Sequence, residues 1–103
     1  MTAINKINYY KTNMYRSNRN NSIIGMAAKA LGADSSSILS LLSRLLELHE
    51  SNVPTLVEIS GIENGYLSNK GRVDRLFKFL SFFSKHHKKV KFAVMVGNVR
   101  YML

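Results

Sequence analysis

The 103-residue chain contains no cysteine, which excludes a disulfide framework and any thiolate metal site. It also lacks a long apolar run. The longest near the start, Ile23-Ile24-Gly25-Met26-Ala27-Ala28, is broken by Lys29 and follows a polar lead, too short to span a bilayer and badly placed for a signal peptide. A soluble, cytoplasmic chain with no membrane partner is the expectation. Acidic residues are scarce: six Asp/Glu stand against fifteen Lys/Arg, for a formal charge of +9 and a pI near 10.1. Those six, Asp34, Glu47, Glu50, Glu58, Glu63 and Asp74, have no spacing that sets two carboxylates across a cleft. Catalytic residues, and hence an enzyme, are not expected. The glycines form no phosphate-loop spacing, and the adjacent His86 and His87 point in different directions among Lys85, Lys88 and Lys89, a setting that repels a metal ion. No metal site or cofactor is expected.

The excess of positive charge points to a polyanionic partner without saying anything about fold. By the usual size prior the chain is one small domain. Residues 1–21 carry Lys6, Lys11, Arg16 and Arg19 with no acid, and place Tyr9, Tyr10, Met14 and Tyr15 among asparagines without a sustained period. They read as a flexible basic tail, either a solubilising extension or an arm reaching along phosphates. A folded body over 22–103 follows. Ser22 is placed to cap a short helix through Leu31, with Gly32 as its stop. The serines after Asp34 offer N-caps for a helix from Ile38 to about Glu50, whose Ile38, Leu41, Leu42, Leu45 and Leu48 follow helical spacing.

Pro54, the only proline, ends that helix, and Thr55 is placed to cap a second, short one at Leu56-Val57-Glu58-Ile59-Ser60. The same residues alternate like a strand. With the Asn64-Gly65 pair downstream, Thr55 to Leu67 also reads as a small hairpin. The helix is the preferred reading, followed by a turn over Gly61 to Leu67. From Ser68 onward nine Lys/Arg face one acid, Asp74. A helix over 69–84 puts Val73, Leu76, Phe77 and Leu80 in one arc and Gly71, Arg75, Lys78 and Phe82 opposite. Residues 90–103 then read as a hairpin around Gly97-Asn98. This pairs Val96 with Val99, Val94 with Tyr101 and Phe92 with Leu103 on an apolar face, while Lys91 and Arg100 lie on the other.

Helix, short helix, basic helix and hairpin in that order predict an α+β, mostly α, winged helix-turn-helix with a C-terminal two-stranded wing. The run from Asn69 to Ser81, followed by Val90-Lys91-Phe92-Ala93-Val94 and Gly97-Asn98-Val99-Arg100-Tyr101, resembles the CaiF/GrlA family of enterobacterial transcriptional regulators. The likeness runs from about Ile38 to Tyr101, with Thr55 and Ile59 falling on the cap and the isoleucine of the family's first motif helix. Two departures are a longer turn between Ser60 and Ser68 and the lack of the segment that relatives carry after the wing. The resemblance implies a cytoplasmic bacterial DNA-binding regulator of transcription, most often an activator. On this reading Arg75 and Lys78 face bases or adjacent phosphates, and Ser68, Asn69, Lys70 and Arg72 fix register at the helix start. Lys91 and Arg100 grip the backbone through the wing. Double-stranded DNA is the expected partner, with a homodimer or a co-regulator protein as a further one. The alternative is a plasmid or phage accessory protein. It would bind RNA, a host protein or an anionic membrane surface through the same basic aromatic face.

Overall fold

The computed structural model of the chain describes residues 7–14, 23–51 and 53–103, the last without the side chains of 65–69. Its elements are β1 (Asn8–Asn13), α1 (Ile23–Ala30), α2 (Ile38–Glu50), β2 (Thr55–Ser60), α3 (Ile62–His86), β3 (Val90–Val96) and β4 (Val99–Met102). Local chemistry explains several of them directly. Ser37 caps α2 by accepting from the Ser40 amide at 3.1 Å, and Leu41, Leu45 and Leu48 on its inner side are buried. Gly32 ends α1: the amide of Ala33 donates to the Ala28 carbonyl and that of Gly32 to Lys29, the double bond of a Schellman stop. Gly97, at φ 59°, takes the first position of the two-residue hairpin loop, where Asn98 follows with negative φ.

The fold is α+β, and its sheet order is β1-β2-β3-β4, with β1–β2 and β2–β3 parallel and β3–β4 antiparallel. Each parallel connection steps to the adjacent strand in the same direction. Right-handed crossovers that advance one way lay their helices on one face, so the opposite face is left bare. The core records this. Thr55, Val57 and Ile59 of β2 and Val90, Phe92 and Val94 of β3 are buried toward the helices, against Ile23, Ala27, Leu41, Leu45, Val73, Leu76, Leu80 and Phe83. The Phe83 ring meets Phe92 edge-on at 6.4 Å, fixing α3 against β3.

Three expectations fail here. No helix forms over Leu56 to Ser60, so there is no helix-turn-helix pair, and the hairpin is the far side of a larger sheet rather than a separate wing. The segment is the central strand: Val57, Glu58 and Ile59 are all buried, and both of its edges are paired. The turn expected over Gly61 to Leu67 is instead the start of α3, entered from Gly61 at φ 71°. Gly65 and Gly71 inside this helix cost about 1 kcal/mol each relative to alanine, which burial of Ile62, Val73, Leu76, Leu80 and Phe83 offsets.

The tail reading fails for residues 7–14, while 1–6 and 15–22 lie outside the described residues. β1 runs the full length of β2, and amide bonds from Asn8 to Pro54 and from Met14 to Ser60, both 2.8 Å, extend the ladder at each end. Tyr10, Thr12 and Met14 face inward; Tyr9, Lys11 and Asn13 face out. Arg44 of α2 fastens this edge. Its Nε donates to the Leu31 carbonyl at 2.8 Å, one Nη donates to Tyr10 Oη at 3.0 Å and the other pairs with Glu47 at 3.1 Å. Because Met14 has no exposed surface, Met14→Ala is expected to lower unfolding stability by about 2–5 kcal/mol, read as a shift of the denaturant midpoint. No shift would return this segment to a tail.

Candidate nucleic-acid interface

α3 divides along its length as the spacing of its residues requires. Val73, Leu76, Leu80 and Phe83 are buried on the sheet, while Lys70, Arg72, Arg75, Lys78, Phe82, Lys85 and His86 are exposed. From Gly71 to Lys85 the outward stripe extends about 21 Å. The ion pairs among the described residues, Arg44–Glu47 and Arg100–Glu58, take no cation from this stripe. Glu63, in the first turn of the same helix, is occupied by the hairpin tip, accepting from the Gly97 amide at 3.1 Å. Lys88 and Lys89 continue the charge beyond the helix end and are exposed. His87 turns inward: its ring stacks on Phe83 at 4.1 Å and meets the His49 ring edge-on at 4.7 Å.

Arg72 and Arg75 come together at a shallow cavity of about 180 Å³ that they line with Ile23 and Ile24 at the start of α1. Two cations on an apolar floor beside a helix N-terminus form a setting that favours an anion. The cavity between the α1–α2 connection and α2, lined by Asp34, Ser40, Ser43, Arg44 and Glu47, is different, because its arginine is already committed to protein acceptors.

Of the residues that the sequence points to, Lys70, Arg72, Arg75 and Lys78 share the exposed side of α3. The side chains of Ser68 and Asn69 lie outside the described residues. Lys91 and Arg100 do not join that group. Strand alternation puts Lys91 opposite the buried Val90 and Phe92, on the bare face of the sheet, with Arg100 on the same face of β4. They lie on the face of the hairpin that its alternation predicts, but that face does not adjoin the basic helix: the two sets of cations look away from each other across the core.

Arg100 is also engaged. Its Nη2 donates to Glu58 Oε2 at 2.9 Å, and Tyr9 Oη donates to the same oxygen at 2.7 Å. In register, Glu58 of β2 is flanked by Lys11 on β1 and Ala93 on β3. The hydrogen bond from Tyr9 holds the Glu58 carboxyl below the usual carboxylate range, burial opposes this, and the charges of Arg100 and Lys11 reinforce it. Conversely, the bond to the carboxylate raises the Tyr9 phenol, with burial adding to it. This cluster escaped the sequence reading, whose only hint was the strand-like alternation around Glu58.

A carboxyl with a lowered folded-state pKa contributes stability that is present above its unfolded value and lost as pH falls through the folded one. The raised Tyr9 phenol does the reverse, its contribution disappearing as pH rises through its folded value. Glu58→Gln is therefore expected to flatten the acid limb of a plot of denaturant midpoint against pH. An acid limb parallel to the parent's would assign the acid sensitivity to other groups. No helix among the described residues is long and apolar enough to cross a membrane. Comparison with protein-family models, with curated proteins and with solved structures finds no match to this chain, so geometry and charge carry the functional argument.

Proposed function

We propose that the chain binds duplex nucleic acid by laying the outward side of α3 along the phosphate backbone. One observation carries this reading: Lys70, Arg72, Arg75, Lys78 and Lys85 are exposed along a single helix whose opposite side is locked into the core, and the ion pairs among the described residues lie elsewhere. Such a row releases condensed counterions from a duplex, and the anion-favouring cavity at Arg72 and Arg75 suits one phosphate. Because α3 lies flat in the helical layer beside α1, its cations favour phosphates over deep insertion at base edges. A DNA-binding regulator of transcription is the form of this reading that the CaiF/GrlA resemblance implies. The winged-helix dock, however, lacks the first helix that it requires.

The substitution pair Arg72→Ala and Arg75→Ala, at exposed positions, is expected to leave folding intact. It should flatten the plot of log affinity against log salt by about two units, at roughly 0.9 for each phosphate no longer neutralised. Lys91→Ala, on the opposite side of the molecule, is expected to change nothing. Fluorescence anisotropy with a duplex over a salt series measures both. An unchanged slope for the double variant, or a loss confined to Lys91→Ala, would remove α3 from the interface.

A second reading rests on Phe82, 66% exposed within the same stripe. An aromatic ring among lysines also suits an anionic lipid headgroup layer. Co-sedimentation with anionic vesicles that fails in Phe82→Ala, together with absent duplex binding, would favour it.

A further inference from the structure

The two edges of the sheet are protected unequally. β1 carries Lys11 and is bounded by asparagines, whereas β4 has no lysine, no proline and no bulge. Its one charge, Arg100, is drawn back over the bare face to Glu58 and does not guard the edge. Around it Val96, Val99, Tyr101 and Met102 are 42–56% exposed. The apolar side of the hairpin was expected to seal the core. It does so at Phe92 and Val94, but the helical layer stops short of β4 and leaves Val99 and Tyr101 uncovered. An edge strand with outward backbone groups and exposed apolar side chains is a template for another strand.

The hydrogen-bond pattern says which groups that strand would meet. The Leu103 amide donates to the Phe92 carbonyl at 2.9 Å, which makes 92–103 an exchanging pair. By alternation, Val94–Tyr101 and Val96–Val99 exchange bonds too, while Ala93–Met102 and Met95–Arg100 do not. The amides and carbonyls of Arg100 and Met102 therefore point out of the sheet edge.

We propose that this edge is the contact between two copies of the chain, joined antiparallel through β4 about a two-fold axis at Tyr101, so that two four-stranded sheets become one of eight. In that register Arg100 exchanges bonds with Met102 of the second copy and Met102 with its Arg100, using every outward group of the strand. Tyr101 faces Tyr101 in the close, non-exchanging position, and Val99 faces Leu103 on each side of the axis. One side of the joint is thus wholly apolar. Shifting the axis to Arg100 would set two guanidinium-bearing residues directly opposite, which disfavours that register. A second copy fits this edge because the register keeps Val99, Tyr101 and Leu103 of both strands on one face and sets each Arg100 against a methionine, in the isologous arrangement of most homodimers. Pairing through β4 is independent of nucleic-acid binding, since the α3 stripe and β4 share no residue.

The absence of cysteine makes the test direct. Close non-exchanging pairs in antiparallel strands accept a disulfide, so Tyr101→Cys is expected to form a covalent dimer on mild oxidation. Val99→Cys and Arg100→Cys, displaced from their own copies by strand positions, should remain uncrosslinked. Sedimentation of the parent chain should show a concentration-dependent dimer. Met102→Pro removes an outward amide without touching the β3–β4 bonds, and should leave a folded monomer by circular dichroism. A parent chain that stays monomeric at all concentrations overturns the proposal. So does crosslinking of Arg100→Cys in preference to Tyr101→Cys, which would place the axis elsewhere. Duplex binding is measured separately, and its loss or retention leaves the dimer result unaffected.

Discussion

Everything in this fold depends on β2 being paired on both sides. A six-residue strand, Thr55–Ser60, holds β1 and β3 in parallel register and supplies Val57 and Ile59 to the core on one face and Glu58 to the polar cluster on the other. Because β1, β2 and β3 are parallel and advance one way across the sheet, right-handed connections must both cross the same face. The one-sided layer, the bare sheet face and the outward stripe of α3 all follow from that constraint.

The arrangement separates the positive charge into two regions of different character. On the helical side, Arg72, Arg75, Lys78 and Lys85 have water in front and core behind, a setting suited to mobile phosphate contacts. On the sheet side, Arg100 is bound to a carboxylate that also receives Tyr9, with Lys11 beside it. Charge held in a hydrogen-bonded network contributes to the join between edge strands more than to binding a diffusing polyanion. A net charge of +9 thus overstates the number of cations free to act together.

Legibility followed the range of the interactions. α2 was readable because its cap and its buried leucines lie within thirteen residues of one another. The hairpin was readable because two residues close it, and its pairing of Val96 with Val99 and Val94 with Tyr101 is the one expected. The two faces of α3 were readable because helical periodicity is a local property. β1 was not readable: a parallel edge strand gains its bonds from residues nearly fifty positions away, and its inward Tyr10, Thr12 and Met14 mix polar with apolar groups. β2 carries two local patterns, a capped helix and an alternating strand, and only its pairing on both sides separates them.

By itself, the sequence determined the bounds of α2, the stop of α1 at Gly32, the two faces of α3 and the turn at Gly97-Asn98. These are set by neighbours along the chain, through caps, glycine torsions and side-chain period. Only the tertiary structure decided that Thr55–Ser60 is a central strand, that the hairpin completes its sheet instead of standing as a wing, and that Glu58 gathers Tyr9 and Arg100. Parallel pairing is a contact between distant segments, and its free energy is realised only when the helices that cross it find a shared core.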